Sequence, residues 1–209
     1  LWQFQPGQET RDASGNGHDL TLRGQARFTT DGPFGGCLES FAAGAENDKP
    51  QGALAANAPD LSPAGAFTLE LWFSAKPELE QHPNVFLVDK KYFNYVKAVP
   101  EANWDYCLCL VRTGEGRRRL DAHLGFGTDS AVCTSREFPV IPGRWIHLAF
   151  TYDGAGTGRF FINGRPAGKT ILQGRGPVTP GRYGVVLGDR YGSIHSGFPG
   201  YLAQVRLCR

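Results

Sequence analysis

The chain has 209 residues, with Lys plus Arg 22 against Asp plus Glu 20 and a formal net charge of +2 at pH 7. That length fits one large domain around one core, and the near balance of charge excludes a surface built to neutralise a row of phosphates, so no nucleic acid is expected as a partner. The longest uninterrupted apolar stretch, Tyr106 to Val111, is far short of the roughly 18–20 residues that a membrane span needs, so no membrane insertion is expected.

Gly 28 and Pro 14 are scattered between apolar runs, which reads as many turns and not as disorder. The opening Leu1-Trp2-Gln3-Phe4 has neither an initiator Met nor the regions of a signal peptide, so the chain is expected to be processed or excised from a larger parent with other domains.

In chain order, short apolar pieces stand near residues 20 and 40, followed by a Gly/Ala-rich stretch over 42–58 that reads as a loop or at most one helical turn. Alternation is clearest over 67–74, where Phe67, Leu69, Leu71 and Phe73 share one strand face and Thr68, Glu70, Trp72 and Ser74 the other. Similar runs follow at 85–89, 104–112, 119–126, 131–137, 145–152, 158–162, 185–188 and 201–207, giving about eleven strands. Turn chemistry separates them: Thr113-Gly114-Glu115-Gly116, Pro142-Gly143, Asp153-Gly154, Asn163-Gly164 and Thr179-Pro180-Gly181. Asn163-Gly164 has the composition of a type I′ hairpin turn. No stretch of a dozen residues keeps a 3.6-residue period. The expected fold is all-β, an antiparallel two-sheet β-sandwich or jelly roll, spanning 1–209 as one domain. The least regular segments, 32–36, 44–66, 90–103 and 171–184, are where binding chemistry tends to sit on a rigid sandwich.

Five motifs, in order, resemble the laminin G-like, or concanavalin A-like, jelly-roll superfamily. They are Leu1-Trp2-Gln3-Phe4 with the loop Asp12-Ala13-Ser14-Gly15-Asn16-Gly17-His18-Asp19-Leu20; Phe67 to Phe73; Gly143-Arg144-Trp145 through Tyr152-Asp153-Gly154; Phe160-Phe161-Ile162-Asn163-Gly164; and Phe198-Pro199-Gly200-Tyr201 through Leu207. The resemblance runs essentially end to end and implies a concanavalin A-like sandwich. It also implies a non-catalytic recognition module for polysaccharide or glycoprotein glycan, carried on a secreted or cell-surface protein. A protein-adhesion or spacer domain without a sugar site is the alternative, and a glycoside hydrolase or polysaccharide lyase the third reading.

The enzyme reading lacks its acids. The E-x-D-x-x-E strand of many glucanases of this fold is missing, Glu46-Asn47-Asp48 lacks the third acid, and Glu70 has Trp72 and Ala75 where partners would stand. No G-x-S-x-G elbow occurs either.

Calcium is the inorganic ligand that the resemblance implies, held at the 12–19 loop by Asp12 and Asn16, where oxygens alternate with glycines. An Asx turn, in which Asp12 and Asn16 bond local amides, explains the same residues. For a sugar, the aromatic and planar polar groups Tyr92, Asn94, Tyr95, Trp104 and Asp105 form one candidate set, and Arg190, Tyr191 and His195 a second. Lys90 and Lys91 fall near a basic position common in the family, which implies a structural role for at least one. His147, on an alternating strand, is expected to be structural. Arg117-Arg118-Arg119 reads as a solvated hairpin tip, with contact to sulfated or uronic polysaccharide as the alternative.

Five cysteines, at 37, 107, 109, 133 and 208, leave two readings open: small buried apolar residues, or one or two disulfides in an oxidising compartment. The tendency of early and late strands to adjoin in this fold implies a Cys37–Cys208 pair. Zinc ranks below both, because Cys107-Leu108-Cys109 puts two thiols on one face without a closely spaced His/Cys set beside them.

Overall fold

The computed structural model describes residues 1–42, 51–90, 103–190 and 197–209. Among them run β1 (Leu20–Leu22), β2 (Arg27–Gly32), β3 (Gly35–Ser40), β4 (Ala53–Ala55), β5 (Phe67–Ala75), β6 (Asn84–Asp89), β7 (Tyr106–Gly114), β8 (Arg117–Gly125), β9 (Ser130–Thr134), β10 (Phe138–Pro139), β11 (Trp145–Tyr152), β12 (Thr157–Ile162), β13 (Arg165–Ile171), β14 (Val185–Leu187) and β15 (Gly200–Cys208). Two 3-10 turns, Pro59–Leu61 and Pro77–Gln81, each begin with a proline, whose fixed φ suits a first turn.

The strands form two antiparallel sheets. The first has the order β1-β4-β14-β6-β7-β8-β10, with β9 also on β8; the second has the order β13-β12-β11-β5-β15-β3-β2. Strands from both halves of the chain thus share each sheet. The expected antiparallel sandwich is what the chain forms.

The period-two strands carry the core. In β11 every second residue is buried, with Ile146, Leu148 and Phe150 inward and His147, Ala149 and Thr151 half-exposed. β5 alternates in the same way up to Phe73 and pairs with β11 from Trp145↔Ser74 to Tyr152↔Phe67. Across the sandwich these side chains meet Leu108 and Leu110 of β7 and Leu120, Ala122 and Leu124 of β8. Each buried Leu, Ile or Phe among them contributes about 1.5–3 kcal/mol of transfer free energy.

Several expectations are corrected. The 42–58 stretch contains strand β4, whose Ala53 and Ala55 are fully buried. Its neighbours Gly52 and Gly184 lie so close to backbone that a Cβ would sit 2.1 Å from the Leu187 carbonyl oxygen and 2.2 Å from that of Ala55. Glycine is therefore required at these two positions beside β4 and β14. The 104–112 run begins two residues later, because Asp105 takes φ +49° and breaks the extension. β13 carries Pro166 and Gly168 and has no alternation, which an edge strand tolerates. Asn163 and Gly164 both have positive φ, +49° and +74°, as a type I′ turn requires.

All five cysteines are free. β15 meets β3 only over Gly200–Leu202, and Cys208 lies roughly 16–20 Å further along its strand, beyond disulfide reach of the buried Cys37.

Candidate binding site

One end of the first sheet gathers four chain segments around a buried ion pair. Lys90, one residue past β6, is fully buried and places Nζ 3.0 Å from Asp105 Oδ2, 2.8 Å from Asn57 Oδ1 and 2.8 Å from the Tyr183 carbonyl oxygen. The ammonium thus spends all three donors on the protein. The same Asp105 oxygen accepts the Gly181 amide at 2.8 Å, and the Asp105 amide donates to the Thr179 carbonyl at 2.8 Å. Burial pushes the Asp105 carboxyl above its ordinary range, while Lys90 and the hydroxyl of Ser62 pull it back. Gly181 is required here, because a Cβ would lie 2.7 Å from both Asp105 Oδ2 and Trp104 Cβ.

On this knot stands an aromatic rim. Trp104 and Tyr183 are half-buried, with ring centroids 6.3 Å apart at 44°. The exposed Arg182 guanidinium lies 5.8 Å from the Trp104 ring centre and 5.4 Å from that of Tyr183. Two ring faces and a forked donor at a loop rim are the groups that stack on a sugar ring and bond its hydroxyls.

Below the rim, the outer face of the first sheet is polar and sulfur-bearing. Strand register sets Val186, Asp89, Cys107, His123 and Val132 side by side across β14, β6, β7, β8 and β9. Phe86, Cys109, Asp121 and Thr134 form the neighbouring row. Phe86, Cys107 and Cys109 form a small cluster separate from the main core. Arg190 places its guanidinium 5.1 Å from the Phe86 ring centre.

The sequence-derived candidates therefore separate. Trp104 is on the rim, and Arg190 lies over Phe86, about 10–13 Å further along β6. Asp105 is corrected from ligand contact to a support, since it is fully buried in its pair with Lys90. The structural role implied for one of the two lysines falls to Lys90. Tyr92, Asn94, Tyr95, Tyr191 and His195 lie outside the described residues, as does Lys91. Arg182 and Tyr183, which complete the rim, were not among the candidates; the sequence signal for them was an aromatic and a cation directly after Pro180-Gly181.

At the 12–19 loop, Asp12 is buried and its carboxylate is surrounded by donors. Oδ1 accepts the Leu1 nitrogen at 3.0 Å, the Ser14 amide at 3.0 Å and the Ser14 hydroxyl at 2.7 Å; Oδ2 accepts the His18 amide at 3.2 Å. Asn16 donates Nδ2 to Ser14 Oγ at 3.0 Å. Burial alone would raise the Asp12 carboxyl, but these bonds outweigh it and hold it well below the ordinary range. This is the Asx-turn arrangement. It does not fit calcium, which needs six to eight oxygens with free lone pairs converging on one point.

The arginine run is likewise corrected. Arg118 is fully buried, with Nη2 bonded to the Leu79 carbonyl at 2.6 Å and Nη1 to that of His82 at 2.7 Å. Arg117 pairs with Glu137 at 3.1 Å, and Arg119 forks onto Asp121 at 3.0 and 3.1 Å. The three guanidiniums thus serve three different partners instead of forming one basic tip. His147 sits between Trp72, at 5.1 Å between ring centres, and Glu70, at 3.1 Å from Nε2 to Oε1, as a cross-strand structural contact.

A family model described as the concanavalin A-like lectin/glucanases superfamily matches residues 47–209. Among solved structures, domain 4 of AbnA, a GH43 extracellular arabinanase from Geobacillus stearothermophilus in complex with arabinotriose, aligns with a TM-score of 0.64 at 19% identity, covering 99% of this chain and 89% of that one. The binding domain of botulinum neurotoxin DC in complex with rat synaptotagmin II aligns with a TM-score of 0.65 at 9% identity, covering 94% of this chain and 44% of that one. The same toxin domain in complex with SialylT gives a TM-score of 0.62 at 10% identity with the same coverage. This chain thus spans less than half of the toxin domain, and at these identities the likeness shows the fold alone. No curated protein matches in sequence.

Proposed function

The chain belongs to the concanavalin A-like lectin/glucanases superfamily, and from that premise we propose that it is a non-catalytic carbohydrate-recognition module of a secreted or cell-surface protein. The observation that carries the reading is the rim of Trp104, Arg182 and Tyr183, held at the end of the first sheet by the Lys90–Asp105 pair. A half-buried indole beside a half-buried phenol gives a ring-sized apolar surface, and the guanidinium supplies donors in a plane. Three strand carboxylates are engaged by basic side chains: Glu70 by His147 and Arg206, Glu39 by Lys76 and Arg27, Asp121 by Arg119. That supports binding over acid–base chemistry, which needs a proton-exchanging pair flanking a substrate.

A glycan-array screen of the whole chain, run with calcium and with chelator, tests the proposal. Retention of a defined glycan class in both conditions is expected, because Asp12 is already satisfied by the chain's own donors. Failure to retain any glycan would refute the sugar reading and leave the adhesion or spacer role. Hydrolysis or elimination on a polysaccharide panel, abolished by changing one Glu or Asp, would favour the enzyme reading.

A further inference from the structure

The sequence places no histidine near Cys107-Leu108-Cys109, but the strand register does. Cys107 lies directly opposite His123 on β8, and Cys109 lies two residues along the same face of β7. The two Sγ atoms are 3.8 Å apart, and both sulfurs and an imidazole nitrogen of His123 lie within 4.8 Å of one another. Both thiols are buried on the outer face of the first sheet, apart from the main core, and His123 is half-buried beside them. We propose that Cys107, Cys109 and His123 form a zinc site on this face, a function separate from the aromatic rim.

The geometry fits the metal. Two Zn–S bonds of about 2.3 Å at a tetrahedral angle put the sulfurs about 3.8 Å apart, the spacing already present. A Zn–N bond of about 2.0–2.1 Å requires S···N distances of about 3.6 Å, so the imidazole closes at most about 1.2 Å to complete the set. Two thiolates and an imidazole are soft-to-borderline donors, which select zinc over calcium or magnesium. All three donors stand on adjacent, hydrogen-bonded strands, so their spacing is held by the sheet and not by a loop. Three protein ligands leave one position of the tetrahedron for water, and the site faces away from the sandwich core. Metal binding expels the two thiol protons to solvent, and no oxidant or reductant takes part.

Cobalt(II) titration of the reduced, chelator-treated whole chain tests this. A thiolate-to-cobalt charge-transfer absorption with tetrahedral visible bands is expected, saturating at about one equivalent and displaced by zinc. Cys107→Ser and Cys109→Ser are each expected to weaken binding by at least about tenfold, the double variant to abolish the absorption and His123→Gln to weaken it, with Cys208→Ser unaffected. Absence of the charge-transfer band in the wild-type chain, or its survival in the double variant, would overturn the site. Should the double variant fail to fold, alkylation mapped by mass spectrometry on the wild type decides. Zinc is expected to slow labelling of Cys107 and Cys109 and to leave Cys208 unchanged; equal labelling with and without zinc would refute it.

Discussion

Replacing Lys90 by Met keeps the stem and removes the ammonium, leaving the Asp105 carboxylate fully buried with the Gly181 amide at 2.8 Å as its remaining hydrogen-bond donor. Three bonds to Nζ vanish at once, to Asn57, Asp105 and Tyr183. Removing one partner of a buried ion pair costs about 3–5 kcal/mol, because the stranded charge loses its compensation, and for a chain of this length that lowers Tm by roughly 6–20 °C. Asp105→Asn strands the ammonium instead and is the appropriate isostere, since Asn tolerates the φ of +49° at that position. The double variant removes both charges, so its loss is expected to fall short of the sum of the single losses by about 1–3 kcal/mol. Denaturant melts of the four proteins in the cycle measure this. Single losses below about 1 kcal/mol, or strict additivity, would refute the buried pair as the support of the rim.

Two further outcomes follow from charges elsewhere. Arg118→Lys cannot reproduce a fork that reaches the Leu79 and His82 carbonyls and is expected to cost about 2–4 kcal/mol in a thermal melt, whereas Arg117→Ala, on an exposed pair, should stay within about 0.5 kcal/mol. For Glu39, burial alone would raise the carboxyl, but Lys76 at 2.6 Å and Arg27 at 2.5 Å outweigh it and hold it below its ordinary value of 4.5. A depressed folded-state value means that the pair contributes stability above about pH 4.5 and loses it as pH falls through the lower folded value. Glu39→Gln is expected to reduce stability at neutral pH and to flatten the acid limb of a stability–pH curve below pH 4.5; an unchanged limb would contradict this.

Strands with one buried and one half-exposed face were legible residue by residue: β11 was read over 145–152, its observed span, because its buried positions recur at every second residue. β4 and β13 were not. The first is a three-residue, wholly apolar Ala-Leu-Ala strand, and the second is a polar edge strand, so neither carries an alternating signature. At the site, Trp104 stood out as one of a run of aromatic and planar polar residues. Its support did not, because Lys90 meets Asp105 and Tyr183 only after four separate segments converge. Arg118 read as solvated because a buried guanidinium depends on carbonyls presented by a distant 3-10 turn. The shared face of Cys107 and Cys109 was visible from their spacing. The third donor became visible only with the register that sets His123 opposite Cys107.

The rim of Trp104, Arg182 and Tyr183 is the proposed sugar platform, and isothermal titration of the best array glycan against wild type and Trp104→Ala tests that role most directly. A loss of at least about tenfold in affinity, about 1.4 kcal/mol, is expected, with the variant still folding cooperatively. Equal affinity in the two proteins would contradict it.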